Sequence, residues 1–374
     1  MSGVEVAFRY AGRSGLRVDR DAARLGLASS ERRTFVEGIA VRGDVVAAGL
    51  LLVARVALTS FTTPAEPPAA ASDAADPLVT TGDGHVRFES LSPCGGVAAR
   101  LDLLPSGLDG SPYAPGTTSI DLDARVRELL STLVGRDPLH LTIGAAGLPG
   151  AHDARPRERR TVLDEDWLRA LVGVQVHASR VAWRAELGVR HARTLLRSLV
   201  ATSATAHLVA GRGGVLRAAV TPAADGISVP GADRLHVLEP LLRLADALRV
   251  GVDHATGTTW WELDLPHARV SVALASGPGF APASGPGSGL ASGPPGFAPA
   301  SGRPAFALES GPGSAVGAPH AHATAASSAL QRATTGRAAF DVTEGRWYDR
   351  ILPFGHTLLT PTSYPPAPEF AEDV

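Results

Sequence analysis

Cys94 is the one cysteine of this 374-residue chain, and it stands in the stretch Ser-Pro-Cys-Gly-Gly. A nucleophilic cysteine needs a base within hydrogen-bond reach and a lowered pKa. Around Cys94 the sequence offers only a turn, and the twelve histidines are scattered. The competing reading, a small buried residue beside two glycines that allow a tight turn, carries more weight. His140 with Asp137 is a second candidate pair for hydrolase or transferase chemistry, but no motif around it specifies a reaction. Gly211-Arg212-Gly213-Gly214 invites comparison with a phosphate-binding loop. Such a loop needs a helix N-terminus behind it and a lysine followed by Ser or Thr. The chain contains no lysine and a strand pattern follows, so the stretch reads as a hairpin tip.

Metal binding has two candidate pairs. His177 and His191 are fourteen residues apart without a matching carboxylate pattern, and His320 and His322 sit in low-complexity sequence. A structural zinc site takes four ligands, typically cysteines, and one cysteine cannot build it. No cofactor is therefore expected. The cationic candidates are more regular. On a helix read over 186–200, Ala192, Leu195, Leu196 and Leu199 fall on one face and Arg190, Arg193 and Arg197 on the other. That arginine face, with Arg155, Arg157, Arg159 and Arg160 as further candidates, could contact phosphates or a partner. Its alternative is a solvated face neutralised by acids such as Glu158 and Glu186. Of the adjacent Trp260 and Trp261, strand geometry turns one inward and leaves the other free for binding or edge packing.

The elements that must position these residues can be read from periodicity. Val86 and Phe88, then Val97, Ala99, Leu101 and Leu103, then Leu139, Leu141 and Ile143 alternate as strands do. Between them Val126, Leu129, Leu130, Leu133 and Val134 recur at helical steps, with Asp121 or Asp123 as N-cap and Gly135 as stop. This β-β-α-β unit should supply a sheet face and its covering helix. Residues 4–10 and 35–41 read as strands and 45–58 as a buried helix. Residues 151–160 read as a polar loop, and Asp164 caps a helix beginning near Trp167. Residues 206–210 and 215–220 form a hairpin. A helix over 234–250 should be kinked or restarted at Pro240. Strands over 260–265 and 268–275 close the series. The fold class expected is α+β, with mixed sheets and covering helices.

Domain organisation follows composition. Residues 1–275 form the body, with 64–77 an internal loop or linker rich in Pro and Ala. From 276 to 329 the sequence is Gly/Pro/Ala/Ser-rich, and the eight-residue string Pro-Gly-Phe-Ala-Pro-Ala-Ser-Gly occurs at 278–285 and again at 295–302. So few large apolar residues cannot offset the entropy of ordering, and a disordered spacer is expected. Residues 330–374 hold a small hairpin and a loose tail.

Several of these stretches, in order, resemble the bacterial SWIM zinc-finger family. They include FESLSPCGGVAARLDLL, GTTSIDLDARVRELL, DPLHLTIG, ERRTVLDEDWLRALVGVQV, AELGVRHARTLLRSL and WWELDLPHARVSVAL. The resemblance covers residues 10–274 and resumes at 336–354, which is similar to the strand-turn-strand of a winged-helix element. It implies an α+β body and a closing zinc finger used for DNA or protein contacts. Two departures qualify it. The helices that should precede the hairpin are replaced by low-complexity sequence, and the C-x-C and C-x-H ligands are absent. Trp347, Arg346 and Arg350 would then be wing contacts without a recognition helix.

A net charge of −2 gives no global field that recruits nucleic acid. All 35 basic residues are arginine, and one cysteine excludes a disulfide framework. The start lacks an apolar core behind basic residues, so no secretory leader is expected. The most apolar run, 45–58, is too short to span a bilayer. The sequence thus reads as a cytoplasmic, non-catalytic binding or scaffolding protein with an unknown protein partner and no membrane contact. An enzyme with a pocket near Cys94, or a weak nucleic-acid binder using the arginine face, are the alternatives.

Overall fold

The computed structural model describes residues 3–280, with breaks at 20–21, 31–33, 62–75, 83–84, 111–114, 134, 136, 149–156, 201–204, 212–215, 220, 224 and 278. The fold is α+β, with one mixed sheet and three antiparallel ones among the described residues. The low-complexity stretch beyond 280 and the hairpin expected within 336–354 lie outside the described residues.

Eight strands make the central antiparallel sheet. Their order is β12 (Ala182–Gly188), β16 (Ala247–Asp253), β17 (Thr258–Leu265), β18 (Ala268–Leu274), β7 (Val97–Leu103), β6 (His85–Leu91), β5 (Leu78–Gly82) and β9 (Gly116–Ser119). A five-stranded mixed sheet runs β2 (Gly15–Val18), β3 (Ala23–Ala28), β10 (Leu139–Gly144), β4 (Thr34–Ala40), β8 (Leu108–Gly110), with only β3 and β10 parallel. Two smaller sheets pair β1 (Gly3–Tyr10) with β11 (Arg157–Asp164), and β14 (Leu216–Ala219) with β13 (Ala206–Ala210) and β15 (Ile227–Val229). The β-β-α-β unit read from the sequence is therefore divided. Its first two strands join the eight-stranded sheet, and its third joins the five-stranded one.

One face of the central sheet is apolar. Val86, Phe88, Ala99, Leu101, Val270, Val272, Trp261, Leu263, Leu248 and Val250 alternate into the main core. Helix α1 (Gly43–Leu58) lies on it, with twelve of its sixteen residues buried. Its approach is close: a Cβ on Gly49 would come within 2.7 Å of the Leu101 side chain. Each fully buried Leu or Val here contributes about 1.5–3 kcal/mol. Arg42, just ahead of α1, donates twice to Asp44, at 2.8 Å each. Helix α2 (Ala124–Thr132) begins at Asp123, whose side chain accepts from the Val126 N–H at 2.9 Å as an N-cap should, and Gly135 follows with φ +105°.

The opposite face is covered by helix α3 (Glu165–Ala178), which builds a second core with Leu91, Ala98, Trp260, Ala273 and Phe280. Because both faces are covered, Trp260 and Trp261 are both buried, at 2% and 0% exposure. The expectation that one would be exposed assumed a one-sided sheet.

Three other expectations change. Residues 157–160, read as the end of a polar loop, instead begin β11 (Arg157–Asp164), which is paired along β1. Glu186 belongs to β12, and the following helix, α4, spans Val189–Val200. The helix expected over 234–250 is a 3-10 segment, Ala232–Leu241, followed by turn and then β16. Pro240 lacks the N–H that a continuing α-helix requires. Leu248, Val250 and Val252 alternate into the core at a strand period. The body also continues past residue 275: Ala275 N–H donates to Gly96 O, and Phe280 is fully buried.

Tyr10 ties β1 to the rest. Its hydroxyl donates to Asp76 at 2.7 Å and lies 3.3 Å from Ser119 Oγ. Burial first, and then the Asp76 charge, push the Tyr10 phenol well above its usual value. The neutral phenol is thus favoured in the folded state, while an unfolded tyrosine titrates near 10. The stabilisation is full below pH ~10 and is lost as pH rises through the folded value. In an ultraviolet titration of the four tyrosines, one should lag the others. Tyr10→Phe should abolish the lag and flatten the alkaline fall in thermal stability. A titration with no lagging tyrosine would contradict the assignment.

Candidate functional site

Helix α4 is amphipathic because its apolar residues recur at three- and four-residue steps. Ala192, Leu195, Leu196 and Leu199 are buried, and the helix rests on the 3-10 segment and β12. Arg190, Arg193 and Arg197 are exposed, as are His191, Thr194 and Ser198. The arginines span about 10 Å of helix at 1.5 Å per residue. The hydroxyls of Thr194 and Ser198 are turned back to the Arg190 and Leu195 carbonyls. The acids expected to neutralise this face are elsewhere. Glu158 pairs with Arg9 at 3.1 Å, and Glu186 sits on β12 opposite Arg249. Among the described residues no ion pair joins an acid to Arg190, Arg193 or Arg197. Arg190 also occupies the first turn, where the positive end of the helix dipole disfavours a cation by roughly 0.3–1 kcal/mol.

Three arginines of the central sheet, Arg87, Arg100 and Arg249, are buried instead. Beneath α3, strand register lines up Glu89, Arg100, Ser271, Glu262 and Arg249 as one row across five strands. Arg100 and Glu89 form an ion pair at 2.7 Å. From α3, Gln175 accepts from Arg100 at 2.6 Å and donates to Glu89 at 2.9 Å. Glu262 accepts from Arg249 at 2.9 Å and from Ser271 at 3.3 Å. The guanidinium groups stack on tryptophans, Arg100 at 4.9 Å from Trp260 and Arg249 at 4.2 Å from Trp183. In the neighbouring row Arg87 donates to Asp102 at 2.6 Å. These pairs are buried, so their charges serve the fold.

Cys94 lies at the β6–β7 turn, half-buried, with Sγ 3.3 Å from Ser92 Oγ. Gly95 makes this turn with φ +66°, a conformation that suits glycine. Among the described residues neither a histidine nor a carboxylate is hydrogen-bonded to that thiol. His140 and Asp137 are both exposed and no hydrogen bond joins them.

His177 and His191 are not brought together as metal ligands. His191 is on the exposed side of α4, and His177, at the end of α3, bonds Asp253 through Nδ1 at 2.9 Å. Thr256 Oγ1 donates to the same carboxylate at 3.0 Å, and the Ala255 N–H bonds its other oxygen. This carboxylate–imidazole contact went unread in the sequence. The signal was an acid at a strand end followed by His-Ala-Thr-Gly, which is common in turns. No group of three or more His, Cys, Asp or Glu that could hold a metal occurs among the described residues. His320, His322, Trp347, Arg346 and Arg350 lie outside the described residues, as do Arg155 and the 212–214 part of the glycine-rich tip. An open cleft of about 430 Å³ lies beside the β16–β17 turn, lined by Arg184, Asp225, Ser228, His254 and Ser276 among others. No helix among the described residues is long and apolar enough to cross a membrane.

No protein-family model matches the chain, and no curated protein does. Among solved structures it is similar to one described as the C-terminal region of FEN-1 bound to A. fulgidus PCNA, with TM-score 0.39 and 10% identity over 64% of this chain and 97% of that one.

Removing Glu262 would strand the buried Arg249 guanidinium. Glu262→Ala should cost about 3–5 kcal/mol in urea unfolding, and the apolar pair Arg249→Met with Glu262→Leu should recover most of it. A loss under about 1 kcal/mol would show that the row does not carry the sheet.

Proposed function

We propose that this chain is a non-catalytic binding protein, of the kind the SWIM zinc-finger resemblance implies. Its contact surface is the arginine face of α4 and its partner is an acidic protein segment. The observation that carries this reading is the contrast between two sets of arginines. Arg87, Arg100 and Arg249 are buried on acids, whereas Arg190, Arg193 and Arg197 stand exposed together on one helix face with no acid paired to them among the described residues. A helix shaped by stability alone would place acids, not Arg190, in its first turn.

Guanidinium groups match carboxylates in paired, parallel hydrogen bonds, which adds geometry to charge. Three phosphate contacts, by comparison, would release about three counterions and give weak, non-specific affinity for duplex DNA. An acidic peptide is therefore the better fit. Nucleic acid is the second reading, favoured by the same exposed arginines. In the enzyme reading Cys94 would be the nucleophile, and no observation on the turn at Ser92–Gly96 favours it.

The test compares a glutamate-rich peptide with a DNA duplex of matched charge, each titrated against the full chain at several salt concentrations. The peptide should bind more tightly, and Arg190→Ala, Arg193→Ala and Arg197→Ala together should weaken it at least tenfold without shifting Tm. Tighter binding to the duplex with a salt slope near −3 would move the function to the nucleic-acid reading. Unchanged affinity in the triple variant would remove α4 from the account.

A further inference from the structure

Phe280 fills a socket built from three separate parts of the body. Its ring is fully buried in the second core and lies 5.7 Å from the His177 ring, tilted by 54°. Its N–H donates to Gly95 O at 3.1 Å, in the turn that holds Cys94. Its carbonyl lies against α3 at Gly173, where an added Cβ would come within 2.0 Å of the Phe280 oxygen. The residue before it is more mildly restricted, since a Cβ on Gly279 would stand 3.1 Å from Gly95 O, a tight contact. The socket thus takes a phenylalanine, preceded by glycine, whose backbone N–H bonds the turn.

Phe280 belongs to the first copy of the string Pro-Gly-Phe-Ala-Pro-Ala-Ser-Gly, and Phe297 holds the same place in the second copy at 295–302. Both copies follow Ala-Ser-Gly-Pro or Ala-Ser-Gly, so the likeness extends upstream as well. We propose that the socket is a recognition site for this string, and that the second copy in the same chain, centred on Phe297, enters it in exchange for Phe280. The exchange shifts the chain by seventeen residues relative to the body. Seventeen residues reach up to about 60 Å when extended, far more than a return to the same socket needs. The first copy is favoured because the second must close a longer loop. A third, looser match, Pro304-Ala305-Phe306-Ala307, has alanine where Gly279 stands, and that Cβ would meet the Gly95 carbonyl. Phe306 is therefore the poorer fit.

The test uses the full chain and reads amide exchange at Gly95–Gly96 and at 173–177, together with Tm. Phe297→Ala alone and Phe306→Ala alone should change neither. Phe280→Ala should retain most of the protection with a small fall in Tm, and Phe280→Ala with Phe297→Ala should lose both by more than the sum of the single effects. Protection in Phe280→Ala that is no better than in the double variant would overturn the proposal. Protection that falls on tenfold dilution would do so too, because the second copy would then come from a neighbouring molecule. A measurement independent of the double variant's folding places 4-fluorophenylalanine at 297 in the Phe280→Ala chain. Its fluorine resonance should move away from the solvent-exposed value, and a resonance at that value would overturn the proposal.

Discussion

The row of charges between the central sheet and α3 is the constraint on which the rest of the body depends. Strand register alone places Glu89, Arg100, Ser271, Glu262 and Arg249 side by side. A slip of one residue in any of the five strands would turn these groups into the apolar core under α1 and bring core leucines and valines out beneath α3. A buried guanidinium without its carboxylate is costly, so the row selects one register from the alternatives. Gln175 then fixes α3 over it, by contacting Arg100 and Glu89 together.

That arrangement explains why Arg87, Arg100 and Arg249 are unavailable to a partner. On the central sheet the cations pair across strands and stack on Trp183 and Trp260. On α4 they remain exposed, and Glu186 lies on β12 in register with Arg249 rather than on the helix. The same α3 that covers the charged row also lines the socket for Phe280, through Gly173 and His177. Packing of the sheet and capture of the chain beyond β18 are thus two uses of one helix.

Periodicity made much of this fold legible. Helix α1, strands β1, β4, β6, β7, β10, β17 and β18 and the β13–β14 hairpin follow from apolar spacing, and the cap of α2 from local chemistry to within Asp121 or Asp123. The rest was hidden for physical reasons. Residues 234–250 carry leucines at spacings that suit a helix, and only tertiary pairing makes 247–253 a strand. Arg157–Asp164 is too polar to announce itself as β11, yet pairs along the whole of β1. Of the candidate surface, the division of α4 into apolar and arginine faces was legible. What was not legible was the fate of Glu158 and Glu186, because long-range pairing decides where an acid points. The charged row was unreadable for the same reason: polar residues alternating along a strand look solvated until a second layer covers them.

Native-state hydrogen exchange across increasing denaturant measures the central claim most directly. If the charged row locks five strands and α3 into one unit, the slowest amides of β6, β7, β16, β17 and β18 should exchange together, at the free energy of global unfolding. Exchange of β16 and β17 through a separate, lower-energy opening while β6 and β7 stay protected would contradict it.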